Sequence, residues 1–62
     1  MKVAIDYVMY KLGELYNLDD ARLWLASPNQ YLQEMAPIDL IKCGRTSEVL
    51  RLIDQIREGV YL

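Results

Sequence analysis

Sixty-two residues make one domain at most, and a chain of that size buries only about 60% of the surface its unfolded form exposes. A single cysteine, Cys43, excludes an internal disulfide, and the absence of histidine removes the common zinc ligand sets. The net charge of −2, with scattered cations and a 53% apolar fraction, excludes nucleic-acid binding by phosphate neutralisation and leaves more apolar surface than one small core hides.

The spacing predicts an all-α fold: a compact bundle of about four short helices in one domain, 1–62, with no sheet, since no segment sustains a period of two. The first helix runs over 2–16. Met1, Ile5, Val8, Leu12 and Leu15 recur at steps of four and three and form one apolar stripe. Val3, Tyr7 and Tyr10 form a second stripe that has no obvious home in the same chain, so this helix is expected to dimerise. Gly13 weakens its end by about 1 kcal/mol relative to alanine, through fraying or the close approach of another backbone. Asp6 and Gly13 interrupt the segment and no small-residue cleavage site follows, so no signal peptide is expected. Nor does any stretch approach the roughly 20 apolar residues that span a bilayer. With a lone cysteine, these features fit a reducing cytoplasm and no membrane.

The second helix is expected from Asp19 or Asp20, with Asp19 as N-cap, and places Ala21, Trp24 and Leu25 on one face. Ser27-Pro28 stops it and opens another turn or two carrying Tyr31, Leu32 and Met35. Pro37 begins the third helix, with Ile38, Leu40 and Ile41 apolar, and Gly44 ends it in the left-handed conformation. Thr46 is expected to cap the last helix, 47–58. Its buried stripe is Val49, Ile53, Ile56 and Val60, widened by Leu50 and Leu52, before Gly59 stops it. Arg51 with Asp54, and Asp54 with Arg57, are spaced to pair on its outer face.

Catalytic chemistry finds no foothold in these residues. Cys43 has Lys42 beside it but no histidine to act as base, and it stands at a helix C-terminus, where the dipole disfavours a thiolate. It is read as a buried or half-buried structural cysteine. Asp54 and Glu58 are read as a solvated face rather than an acid–base pair, and Trp24 as core rather than a stacking platform. No catalytic residue, metal site or cofactor is assigned, and no enzyme is expected. Five tyrosines in so short a chain suit protein interfaces, with one apolar and one wet end each.

One ordered series remains. Ala21 precedes Trp24-Leu25, followed by Pro28-Asn29, Leu32, Pro37-Ile38-Asp39-Leu40, Val49 and a closing Gly59-Val60-Tyr61. This series resembles the toxin-binding domain of the Xre/MbcA/ParS-like antitoxins, over 17–62 as a toxin-binding-like region. Two positions depart from the pattern. Gln33-Glu34 stand where the family often has one or two glycines, and Ala36 where it often has threonine. Many relatives also carry an N-terminal helix-turn-helix, for which the residues ahead of Trp24 are too few, so DNA binding is not carried over.

The resemblance implies an antitoxin that binds and sterically blocks a RES-domain toxin. NAD would be that toxin's substrate and no cofactor of this chain. It implies toxin contact through Arg51, Arg57, Gly59, Val60, Tyr61 and Leu62, while Trp24, Leu25, Pro28, Asn29, Leu32, Pro37, Asp39, Leu40 and Val49 build the fold. A homodimer through Val3, Tyr7 and Tyr10 completes the expectation. The alternative is a helical interaction or dimerisation module with no toxin partner.

Overall fold

The computed structural model describes residues 2–59, with side chains described from residue 4 onward. Four α-helices follow one another: α1 (Lys2–Leu12), α2 (Leu18–Ala26), α3 (Pro37–Lys42) and α4 (Thr46–Arg57). A single 3₁₀ turn, Gln30–Leu32, lies between α2 and α3. There is no sheet among the described residues, only one isolated bridge between Asn29 and Met35. The chain is the all-α bundle its periodicities predict.

The amphipathic α4 organises the bundle. α3 and α1 both pack on it, α2 packs on α3, and the 3₁₀ turn rests against α4. Val49, Leu52 and Ile53 supply its buried stripe. They meet Val8 and Leu12 of α1, Ala21 and Leu25 of α2, Leu32, and Leu40 and Ile41 of α3 in one continuous core. Ile56 and Leu50 are partly buried at its margin. Leu52 therefore lies in the centre of the stripe rather than at its edge. No helix among the described residues is long and apolar enough to cross a membrane.

Helix boundaries follow capping chemistry, and in several places differ from the sequence reading. α1 stops at Leu12 rather than near Tyr16, because Leu15 and Tyr16 both turn back to the Leu12 carbonyl. Leu15 is still partly buried against the core. Gly13 lies in this turn. A Cβ built on it would sit 3.3 Å from the carbonyl oxygen of Tyr10, in its own chain, so no second element closes on it among the described residues.

Asn17, not Asp19, caps α2. Its side-chain oxygen accepts from the Asp20 N–H at 2.9 Å, and Asp19 and Asp20 occupy the first turn, where the helix dipole favours them. Ser27 ends α2 by donating its hydroxyl to the Leu23 carbonyl at 2.6 Å, so it does not open the next turn. That role falls to Asn29, whose side-chain oxygen accepts from the Tyr31 N–H at 2.9 Å. The Asn29 backbone also donates to Met35 and accepts from Leu32 and Glu34, so this one residue closes the loop over 29–35.

Pro37 is the first residue of α3 and fully buried. Ala36 stands at its N-cap with no side chain able to accept a hydrogen bond. Gly44 (φ 81°) ends α3 in a Schellman arrangement: Arg45 N–H donates to Leu40 and Gly44 N–H to Ile41. Cys43 is the cap residue of that helix. Its side chain is exposed, against the expectation of a buried or half-buried thiol, because Leu40 and Ile41 already occupy the core-facing side of this six-residue helix. Thr46 is the first helical residue of α4 and Arg45 takes the N-cap position, without a side-chain cap bond. Arg45 instead clasps Glu48, three residues on, through Nε at 2.6 Å and Nη2 at 2.8 Å.

Candidate functional site

Most residues assigned to the fold are internal: Leu25, Leu32, Pro37, Leu40 and Val49 are buried. Trp24 is half-buried, with one side against the core. Asp39 is exposed in the first turn of α3, where its charge suits the helix dipole. Pro28 is also exposed and forms part of a surface cleft.

That cleft, about 390 Å³, is lined by Tyr16 after α1, Trp24 of α2, Pro28, Asn29, Gln30 and Tyr31 of the loop, and Ile56 of α4. It continues on one side past Trp24 into a shallower depression with Leu23, Asp20 and Ser27. On the other side Tyr31 also borders a hollow of about 270 Å³ formed with Leu32, Glu48, Arg51, Leu52 and Gln55. Tyr16 and Trp24 are thus shared by the cleft and the first depression, and Tyr31 by the cleft and the more polar hollow. The five-tyrosine composition signalled surplus aromatic surface. Nothing in the sequence pattern showed that Tyr16, Tyr31, Trp24 and Ile56 would meet, since they come from four separate segments.

The arginines expected at the interface differ in their surroundings. Arg51 is exposed at the rim of the hollow and does not pair with Asp54. Arg57 does, at 3.2 Å, and also reaches Glu14 at 3.1 Å. Lys11 lies 3.5 Å from the same Asp54 oxygen. Gly59 turns the chain out of α4 in the left-handed conformation (φ 78°), and its N–H donates to the Ile56 carbonyl at 3.1 Å. Val60, Tyr61 and Leu62 lie outside the described residues, as does the side chain of Val3. On α1, Tyr7 is 51% and Tyr10 71% exposed, the exposed large hydrophobic side chains of that helix among the described residues.

Arg45 and Glu48 form the shortest ion pair among the described residues, at 2.6 Å. The Arg45 side-chain hydrogen bonds, followed by the opposing burial effect and the charge of Arg45, leave the Glu48 carboxyl below the usual glutamate range. The same bonds raise Arg45. Among the described residues no cluster of histidine, cysteine, aspartate or glutamate could hold a metal ion. What this surface offers is apolar area, tyrosine hydroxyls and a rim cation, the composition of a protein-binding face.

Residues 12–59 match the family described as the Antitoxin Xre/MbcA/ParS C-terminal toxin-binding domain. Over 60 residues the chain is 38% identical to the Mycobacterial cidal antitoxin MbcA of Mycobacterium bovis. It is equally similar to the proteins of that name from two Mycobacterium tuberculosis strains, CDC 1551 and H37Rv. Each match takes in 97% of this chain and 53% of the relative, so the chain spans about half the length of the curated relatives it matches. No solved structure matches it.

Proposed function

The chain belongs to the Antitoxin Xre/MbcA/ParS C-terminal toxin-binding domain family, which is not an enzyme family, and we propose that it is an antitoxin that blocks a RES-type, NAD-consuming toxin by occluding its active site. The match of its helical body to a toxin-binding domain carries this reading. The blocking element is the segment from Gly59 onward, with Val60, Tyr61 and Leu62 entering the toxin's substrate pocket and NAD excluded as a result. A tyrosine followed by a leucine suits such a pocket, having one apolar body and one polar handle. Arg51 is exposed on the hollow that Tyr31 borders, which supports a contact with toxin carboxylates. The exposed Tyr7 and Tyr10, with Val3, form the dimer contact, and the complex works in the cytoplasm.

The test is co-expression with a RES-domain toxin encoded beside the gene. The two proteins are expected to co-purify and toxin growth arrest to be relieved. Tyr61→Ala with Leu62 removed is expected to lose neutralisation; full-strength neutralisation by that variant overturns the tail mechanism. Absence of any adjacent RES reading frame, with an intact dimer, favours the module without a toxin partner.

A further inference from the structure

Four charged side chains of alternating sign join the end of α4 to the end of α1. Arg57 Nη1 donates to Glu14 Oε1 at 3.1 Å, across 43 residues of sequence, and Arg57 Nη2 donates to Asp54 Oδ1 at 3.2 Å. Lys11 Nζ lies 3.5 Å from that same aspartate oxygen. In the order Glu14, Arg57, Asp54, Lys11 every link is attractive. Lys11 is in the last turn of α1 and Glu14 in the turn just after it, while Asp54 and Arg57 form the last turn of α4. Two residues beyond Arg57, Gly59 turns the backbone into the left-handed region (φ 78°).

We propose that Glu14 and Arg57 are positioning residues, the ion-pair chain holding the last turn of α4 against α1 and so fixing the exit direction at Gly59. The consequence for toxin binding rests on the antitoxin reading above. Relative magnitudes favour a local role. An exposed ion pair is too weak to hold a fold together. A helix end, however, opens at a far smaller free energy than the whole fold, so the same small attraction changes its open-to-closed ratio several-fold. Arg57 spent on a partner's carboxylate would leave Glu14 without its cation and Asp54 with Lys11 alone. Arg51 lies outside this chain of pairs.

The reporters are the Glu58 and Gly59 N–H groups, which donate to Asp54 and Ile56 and exchange with solvent only when the last turn opens. Amide hydrogen exchange is measured by NMR on the free protein for Glu14→Gln, Arg57→Gln and the double variant. Each single variant is expected to speed exchange about threefold, and the double variant no further. Salt at about 1 M is expected to bring the unsubstituted protein to the same rate while the unfolding midpoint barely moves. Unchanged exchange in Arg57→Gln overturns the proposal. In the second arm, affinity for the adjacently encoded RES toxin is expected to fall by one common factor in all three variants. Additive losses in the double variant overturn the positioning role and make Arg57 a direct contact. If the unsubstituted protein binds no such toxin, the antitoxin reading falls, and the exchange arm still decides the positioning role.

Discussion

Gln33 and Glu34 follow one another through the left-handed region, with φ of 58° and 66°. Neither is glycine, and neither side chain is short enough to compensate by bonding its own backbone as asparagine or aspartate does. The loop holds them there: Glu34 N–H donates to Asn29 at 2.9 Å and Met35 N–H to Leu32 at 3.1 Å. The backbone keeps a left-handed turn although glycine, the residue that suits it, is absent from both positions.

Replacing either residue by glycine is therefore expected to stabilise the domain. Relief of a left-handed residue is worth about 1–2 kcal/mol, and the added freedom of the unfolded chain returns about 0.4–1 kcal/mol. The net gain is about 0.5–1 kcal/mol for each of Gln33→Gly and Glu34→Gly. In a domain of this size that raises the unfolding midpoint by about 2–8 °C, measurable by circular dichroism. An unchanged or lower midpoint would show that the turn is not strained.

Ala36 offers a second stabilising position. It has the extended backbone of an N-cap (φ −72°, ψ 139°) but no side-chain acceptor for the first-turn N–H groups of α3. Ala36→Thr is expected to add about 1 kcal/mol, as a capping hydroxyl usually does. The residue is nearly buried, so the methyl group must fit beside Pro37. Urea denaturation with an unchanged m-value and a higher midpoint is the expected result.

Glu48 gives the fold a specific acid limb. Its carboxyl is held below the ordinary glutamate value, first by the hydrogen bonds from Arg45. A carboxylate depressed in the folded state contributes stability that is complete above its unfolded pKa and is lost as pH falls through the lower, folded pKa. The difference in unfolding free energy between the unsubstituted protein and Glu48→Gln is thus expected to be constant from neutral pH down to the ordinary glutamate range and to shrink only below it. Carboxyl NMR titration is expected to show the Glu48 midpoint rising in Arg45→Gln.

Tyr7 and Tyr10 carry the dimer prediction. Both are exposed on α1, one turn apart. If they seal a contact between two copies, charge there blocks it without touching the core, since Val8 and Leu12 face inward. Tyr7→Glu with Tyr10→Glu is expected to convert a dimer to a folded monomer in sedimentation equilibrium, with helical content retained. A monomer in the unsubstituted protein would remove the dimer from the scheme.

The local rules in this sequence determined the helical class, the core positions Val8 and Leu12 of α1 and Val49 and Ile53 of α4, and the stops at Gly44 and Gly59, because periodicity and capping act within a few residues of chain. Local rules also misplace a cap by one or two residues, as at Arg45 and Asn17; at Asn17 neighbouring polar residues compete for the same free N–H groups. The exposure of Cys43 follows from the rotation of a six-residue helix, which the buried Leu40 and Ile41 set. The cleft of Tyr16, Trp24, Tyr31 and Ile56 and the Glu14–Arg57 pair are of another kind. They exist only because α1 and the loop come to rest on α4 while α2 packs on α3, and no spacing along the chain encodes where separate helices bring their outer faces together.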